Sequence, residues 1–355
     1  MLRLVDANLN RAREGLRLLE DVARFVLNDA SLSQRLKDLR HQLAQATAQL
    51  QLPSLTARDT VADVGIGMRS SSEMGRPDLA ALVSANARRV EESLRVLEEA
   101  TRSPGFEGVD WQAFQAARFA IYDIEKQLLS GALRQAGRQR VKGLYLVLDT
   151  EWLNGRTEAE VARQAIRGGA SMVQLRDKRR CMRDLLPVAQ ELKLLCQASG
   201  AMFVVNDRVD IALAVGAECL HLGQTDLPLN VARGLLPVGA MLGGTARTVE
   251  QAEQAERQGA DYVAIGSMYP TRSKHDTVVV GLEVLRRVRE KVQVPLVAIG
   301  GINKDNVAAV VHAGADAIAV ISAVMATDDV ELAAREMVNA IEKSKEDREN
   351  KAPHG

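Results

Sequence analysis

Met172-Val173-Gln174-Leu175-Arg176-Asp177-Lys178 is a short apolar run that turns abruptly polar. About thirty residues further on, Met202-Phe203-Val204-Val205-Asn206-Asp207-Arg208 does the same. Apolar runs this short, without polar alternation, read as parallel strands buried on both faces. The same grammar gives candidate strands at Leu144–Leu148, Met172–Leu175, Met202–Val205, Cys219–Leu222, Met241–Gly243, Tyr262–Ile265, Leu296–Ile299 and Ala317–Ile321. Helix-like runs such as Glu158–Arg167, Leu185–Gln197 and Val249–Gln258 lie between them. Eight such units in about 200 residues predict an α/β fold, a (β/α)8 TIM barrel, with a doubly wound sheet as the alternative. The barrel is favoured because nearly every strand is followed at once by Gly, Asp, Asn, Arg, Ser or Thr, and a barrel collects all these ends at one mouth.

Upstream the grammar changes. Residues 1–135 are rich in Leu, Ala, Arg and Glu at helical spacing, and they predict an all-α helical domain. Val5 through Glu20 echoes Val83 through Glu98, with roughly half the aligned positions identical. This internal repeat predicts a duplicated helical hairpin of about four helices, the second near Leu32–Gln51 and the fourth near Trp111–Leu133. A loop containing Gly and Ser, Asp63–Ser72, joins the two copies. Asn8, Arg11, Glu14 and Arg17 recur as Asn86, Arg89, Glu92 and Arg95. At three-residue spacing they are neighbours on a helix surface. They read as a solvated, salt-bridged face, as bonds between the copies, or as a ligand or partner surface. The expected division is residues 1–135 helical, 141–343 barrel and 344–355 a flexible, charged tail.

Composition narrows the partners. Lys plus Arg and Asp plus Glu each number 46 in 355 residues, so no global charge attracts nucleic acid or an anionic membrane. No apolar run has the length of a membrane span, and the N-terminus lacks a signal-peptide core. Cys181, Cys196 and Cys219 show no paired spacing, which fits a reducing cytoplasm. A homo-oligomer is compatible with the sequence.

The strand ends carry two kinds of anion site. Gln174, Arg176 and Lys178 alternate, so they point to one face. Together with Asn206 and Asp207 they suit a diphosphate held by cations and magnesium, because phosphate favours Arg and Lys donors and magnesium favours a carboxylate or two plus phosphate oxygens. Asp226, after the fourth strand, is either a second carboxylate facing Asp207 or a helix N-cap before Leu227-Pro228. His221 reads as a packed or hydrogen-bonding residue. Gly300-Gly301 after strand seven and Ser322 after strand eight fall where barrels bind phosphate through backbone N–H groups. The Thr271–Ser273 loop after strand six adds hydroxyls. No Ser/His/Asp set and no buried Schiff-base lysine is apparent. Two phosphorylated small molecules, or one bisphosphate, and a reaction driven by loss of diphosphate fit this mouth.

The ordered set Q-L-R-x-K, N-D-R, H-x-G-Q-x-D, T-x-S-K and G-G-I, running from Gln174 to Ile302, resembles thiamin-phosphate synthase over about residues 141–343. The helical repeat resembles an extension fused to some synthases of this kind. The resemblance implies condensation of hydroxymethylpyrimidine diphosphate with a thiazole phosphate, giving thiamin monophosphate and diphosphate with Mg2+. It implies Arg176 and Lys178 on the diphosphate with Gln174 and Asn206 beside it, and Lys274 reaching in from the strand-six loop. Asp207 and Asp226 would hold the metal, and Thr245, with Arg176, Lys178 and Lys274, would be a catalytic and substrate-binding residue. Thr271, Ser273, Gly301, Ile321 and Ser322 would cradle the thiazole phosphate. Thr245 stands where serine is common in the family and Ser273 where threonine is common; both keep a hydroxyl. A thiazole tautomerase on the same barrel and a non-catalytic ligand sensor are the alternatives.

Overall fold

A computed structural model describes residues 1–57, 75–271 and 278–351. The chain divides into two compact units, Met1–Gln135 and Ala136–Gly355.

In the first unit, α1 (Leu2–Asp21) runs into a π-helical turn at Val22–Val26 and is followed by α2 (Ala30–Ala46), a short α3 (Gln51–Thr56), α4 (Leu79–Ala100) and α5 (Trp111–Arg138). Asp29 and Asp78 cap α2 and α4 by accepting the backbone N–H of Leu32 and Ala81 at 2.9 and 2.7 Å. Such caps satisfy donors that the first helical turn leaves unpaired. The apolar stripes close on one another, and Leu16, Leu19, Leu36, Leu94, Leu97, Phe114 and Ile121 are fully buried. Gly15 lets α1 lie close against α4, since a Cβ there would stand 2.6 Å from the Val90 side chain and 3.2 Å from the Asn86 carbonyl.

The repeat extends beyond the stretch visible by eye. Glu20 pairs with Arg40 at 2.7 Å and Glu98 with Arg118 at 3.1 Å, and each residue of the second pair lies 78 positions after its counterpart in the first. Part of the expected polar face is not solvated. Asn8 and Asn86 are buried and donate back to the carbonyls of Leu4 and Leu82 at 2.8 and 2.9 Å, whereas Arg11, Glu14, Arg89 and Glu92 are exposed. The Asp63–Ser72 loop lies outside the described residues.

In the second unit eight parallel strands close in the order β1 to β8: Gly143–Asp149, Met172–Arg176, Met202–Asn206, Cys219–Leu222, Met241–Ala246, Tyr262–Gly266, Leu296–Ile299 and Ala317–Val320. Eight helices follow: α6 (Glu158–Arg167), α7 (Met182–Ser199), α8 (Val209–Val215), α9 (Leu229–Leu235), α10 (Val249–Arg257), α11 (Gly281–Lys291), α12 (Val307–His312) and, after the one-turn α13 (Ser322–Met325), α14 (Val330–Lys351). Outward-facing strand residues such as Leu146, Val173, Phe203 and Leu220 pack under the helices. Inward-facing ones, including Tyr145, Met172, Met202, Val204, Met241, Tyr262 and Val297, fill the barrel interior. Burial on both faces explains why the strands lack polar alternation. At the start of β6, Asp261 is buried and bonds the guanidinium groups of Arg138 and Arg233 and the Leu242 N–H.

Residues 344–351 are not the flexible tail expected. They continue α14, with Ser344 buried and Lys345 donating to the Asp316 carbonyl at 3.1 Å. Apolar residues Ala334, Met337 and Ile341 anchor this helix to the barrel core, so its charged end is carried on a packed helix.

Candidate active site

The C-terminal strand ends enclose a cavity of about 400 Å³, lined among others by Gln174, Arg176, Lys178, Asn206, Asp207, Asp226, Thr245, Thr271, Gly301, Ile321 and Ser322. Every expected site residue within the described residues therefore faces one space. Ser273 and Lys274 lie outside the described residues.

Ladder register builds the basic side. Asp149 and Arg176 end β1 and β2 as direct partners, and Arg176 bonds the buried Asp149 carboxylate. One loop further, Asp177 accepts the N–H groups of Arg179 and Arg180, both at 2.8 Å, which ties down the turn that carries Lys178. Lys178 bonds the carboxylate of Asp207. Asp207 follows the third strand with φ at 61°, in the left-handed region, while its N–H donates to the His221 carbonyl at 2.8 Å. That conformation is uncommon for a residue other than glycine and marks a turn held by its surroundings.

Asp226 accepts the Gly223 N–H at 2.7 Å. It does not cap α9, which begins three residues later with Pro228 at its N-cap. Burial pushes the Asp226 carboxyl above the usual carboxylate range, and the hydrogen-bonded Asp207 beside it pushes further, against the pull of Lys178. Two carboxylates this close share a proton or a cation.

A polar layer crosses the cavity floor. Gln174 Nε2 donates to the Tyr145 hydroxyl at 2.6 Å, and His221 Nε2 lies 2.9 Å from Thr245 Oγ1. Gln224 bonds the Thr245 carbonyl and steadies the end of β5. Across the mouth the wall is backbone. Gly301 has φ at 66°, and a Cβ there would stand 2.5 Å from the Pro270 carbonyl, so only glycine fits this crossing of two loops. Ile321, the N-cap of α13, and Ser322, its first residue, follow β8 and close the same wall.

Sequence reading missed Asp149 and Tyr145. Asp149 follows the expected strand Leu144–Leu148 just as Asp207 follows Val205-Asn206, so its position at a strand end was a usable signal. Tyr145 offered none, because a tyrosine inside an apolar run reads as core.

With this geometry in place, comparison with known proteins decides the family. A family model described as thiamine monophosphate synthase matches residues 144–324. The chain belongs to the thiamine-phosphate synthase family. A thiamine-phosphate synthase of Thermosynechococcus vestitus is 38% identical over 340 residues, covering 96% of this chain and 94% of that protein. One from Synechococcus sp. (strain WH7803) is 39% identical over 347 residues, covering 96% of both chains. Among solved structures, thiamine phosphate pyrophosphorylase from Pyrococcus furiosus is 42% identical with a TM-score of 0.54, covering 58% of this chain and 98% of that one. A second model, of the ThiD2 family, matches residues 3–127. The thiamine-phosphate synthase relatives thus span both units, and the two family models divide them. No helix among the described residues is long and apolar enough to cross a membrane.

Proposed function

We propose that the barrel mouth joins hydroxymethylpyrimidine diphosphate to a thiazole phosphate with Mg2+, each substrate on its own wall of the cavity. The observation that carries this assignment is the convergence of Arg176, Lys178, Asp207 and Asp226 opposite a backbone wall built by Gly301 and Ile321-Ser322. A tautomerase acting on the thiazole phosphate would need the backbone wall alone.

Arg176 is turned by Asp149 so that its planar fork lies at the rim, where the remaining N–H groups suit a phosphate edge. Lys178 is a point charge free to exchange Asp207 for a phosphate oxygen, and Lys274, eight residues after Gly266 in sequence, would supply a further cation. Gln174 and Asn206 lie beside them. Asp207 and Asp226 fit a divalent cation, since the two carboxylates lie beside each other and burial disfavours two bare charges there. Asp207 and Asp226 would hold magnesium, which when bound would supply charge neutralisation of the leaving group. Thr271, Ser273, Gly301, Ile321 and Ser322 receive the thiazole phosphate.

The bond from the pyrimidine methylene carbon to the diphosphate oxygen breaks with its electron pair leaving on the diphosphate. The thiazole nitrogen lone pair forms the new C–N bond. Arg176, Lys178 and Lys274 stabilise the departing charge, and Thr245 orients the pyrimidine side. Holding both substrates in one cavity converts an encounter into a positioned step. Three unpaired cysteines, two of them buried, fit a reducing compartment such as the cytoplasm. The test is turnover with both substrates at varied magnesium. Product formation that needs both substrates and the metal is expected; activity on the thiazole phosphate alone would overturn the reading.

A further inference from the structure

Tyr262 is fully buried in β6 and does not line the cavity, yet it touches residues that do. Its hydroxyl lies 3.0 Å from the Tyr145 hydroxyl of β1 and 3.0 Å from Nδ1 of His221 of β4. Neither strand neighbours β6, so these bonds cross the barrel interior. Four hydrogen bonds then join the two sides of the cavity floor: Gln174 to Tyr145, Tyr145 to Tyr262, Tyr262 to His221, and His221 to Thr245. The Tyr262 ring also stacks on the His221 ring, with centroids 5.5 Å apart and planes at 18°.

Room for this arrangement comes from Gly243 of β5. A Cβ there would stand 2.1 Å from Tyr262 Cζ and 2.6 Å from His221 Nδ1. The absent side chain lets the tyrosine lie across its neighbouring strand and reach the histidine.

Direction is transmitted along the chain, because each hydroxyl has a single hydrogen and a neutral imidazole carries one. Gln174 donates an N–H to Tyr145. With Gln174 donating, the direction that leaves no buried hydroxyl hydrogen of the chain unused has Tyr145 giving its hydrogen to Tyr262 and Tyr262 giving its own to His221 Nδ1. His221 is left with its hydrogen on Nε2, which it gives to Thr245. The Gln174 amide keeps its carbonyl oxygen for other partners, and Thr245 keeps its hydroxyl hydrogen. Burial pushes both tyrosine hydroxyls well above their ordinary range, which keeps them neutral members of the chain.

We propose that Tyr262 is a positioning residue that couples the Gln174 amide to the Thr245 hydroxyl, so that the cavity presents an acceptor at Gln174 and a donor at Thr245 to the heteroaromatic substrate. This rests on the function proposed above, and a pyrimidine bearing an amino group beside ring nitrogens carries the matching donor and acceptors. The phosphate-binding wall at Gly301 and Ser322 is not part of the chain.

The experiment has two arms. In the first, 15N NMR of histidine-labelled protein without substrate, with the His221 signal assigned by its loss in His221→Gln, reads the tautomer. Hydrogen on Nε2 is expected, and hydrogen on Nδ1 would overturn the proposal. This arm needs no turnover, so it stands apart from the assignment of the reaction, whose own failure would be a wild-type chain inert with the pyrimidine diphosphate. In the second arm, Tyr262→Phe removes one oxygen and keeps the ring. Its kcat/KM for the pyrimidine diphosphate is expected to fall about tenfold, with KM for the thiazole phosphate unchanged. In a Thr245→Ala background the same change should cost less than about twofold, because the end of the chain is already lost. Full additivity, or equal rises in both Michaelis constants, would show a general packing effect and overturn it. Should Tyr262→Phe fail to fold, the tautomer decides.

Discussion

Asp207 and Asp226 lie beside each other at the mouth, and Lys178 pairs with Asp207. Replacing either by Asn keeps its size and removes half of the acidic pair. We expect Asp207→Asn and Asp226→Asn each to lower turnover at limiting magnesium by two orders of magnitude or more, since metal stabilisation of a leaving group is worth several kcal/mol. Isothermal titration of Mg2+ should show weaker binding in both. Near-normal rates at limiting metal would remove these residues from the metal site. Asp149 makes a different prediction at the same scale. Asp149→Ala leaves Arg176 charged but unaimed, so use of the pyrimidine diphosphate should fall while KM for the thiazole phosphate stays near its starting value.

A second acidic pair, in the helical unit, predicts a pH effect. Burial, then the neighbouring Glu125, pushes the Glu91 carboxyl up to about 7. A carboxyl whose pKa is raised on folding binds protons more tightly in the folded state. Its penalty is therefore absent below its ordinary pKa of 4.5 and is complete above about 7. Glu91→Gln should raise stability at pH 8 by about 1 kcal/mol, after allowance for solvent screening, and leave it unchanged near pH 4. Calorimetry of the full chain at both values checks the sign; stabilisation at pH 4 alone would contradict it.

At the scale of elements, the barrel is held by features its apolar pattern does not announce. Asp261 joins the end of α5 to β5, β6 and the α9 segment through Arg138, Leu242 and Arg233. Asp261→Ala leaves two guanidinium groups beside each other, and breaking a buried pair in this way costs about 3–5 kcal/mol. We expect a clear loss of Tm, reduced in Asp261→Asn, which keeps an acceptor. Much of this architecture was legible beforehand. All eight strands were found within about three residues of their ends, because burial on both faces leaves continuous apolar runs. Strand ends were legible for the same reason, and they led to Arg176, Lys178, Asn206, Asp207 and Asp226. The Asp149–Arg176 bond was not, because it depends on ladder register, and register is a relation between strands rather than a property of either. Tyr145, His221 and Tyr262 were illegible as a group for a related reason. Their bonds cross the barrel interior between strands that are far apart in sequence. Residues 344–351 read as a tail because they are polar throughout; they continue a helix whose apolar stripe, Ala334, Met337 and Ile341, lies before them.

At the scale of the whole molecule, the two units bury separate apolar cores, one built from Val5 to Leu128 and the other within the barrel. Every residue assigned to the reaction lies between Tyr145 and Ser322, and the strands close on themselves without help from residues 1–135. This argues that the barrel folds and works alone, provided that its first residues are kept. Arg138 must remain, because Asp261 would otherwise lose one of its two guanidinium partners, and a fragment cut at Arg138 itself would place that bond on a frayed end. A fragment beginning at Ala136 retains it inside the chain. We expect this fragment to be soluble, to melt in one transition, and to turn over within about threefold of the full chain, a difference below about 1 kcal/mol in barrier. The match of residues 3–127 to a family of their own is consistent with a separate task for the helical unit. Purifying the fragment and assaying it beside the full chain decides the matter. A folded fragment that binds magnesium but makes no product would place a necessary group among residues 1–135, and the exposed Arg11, Glu14, Arg89 and Glu92 would be the first to replace.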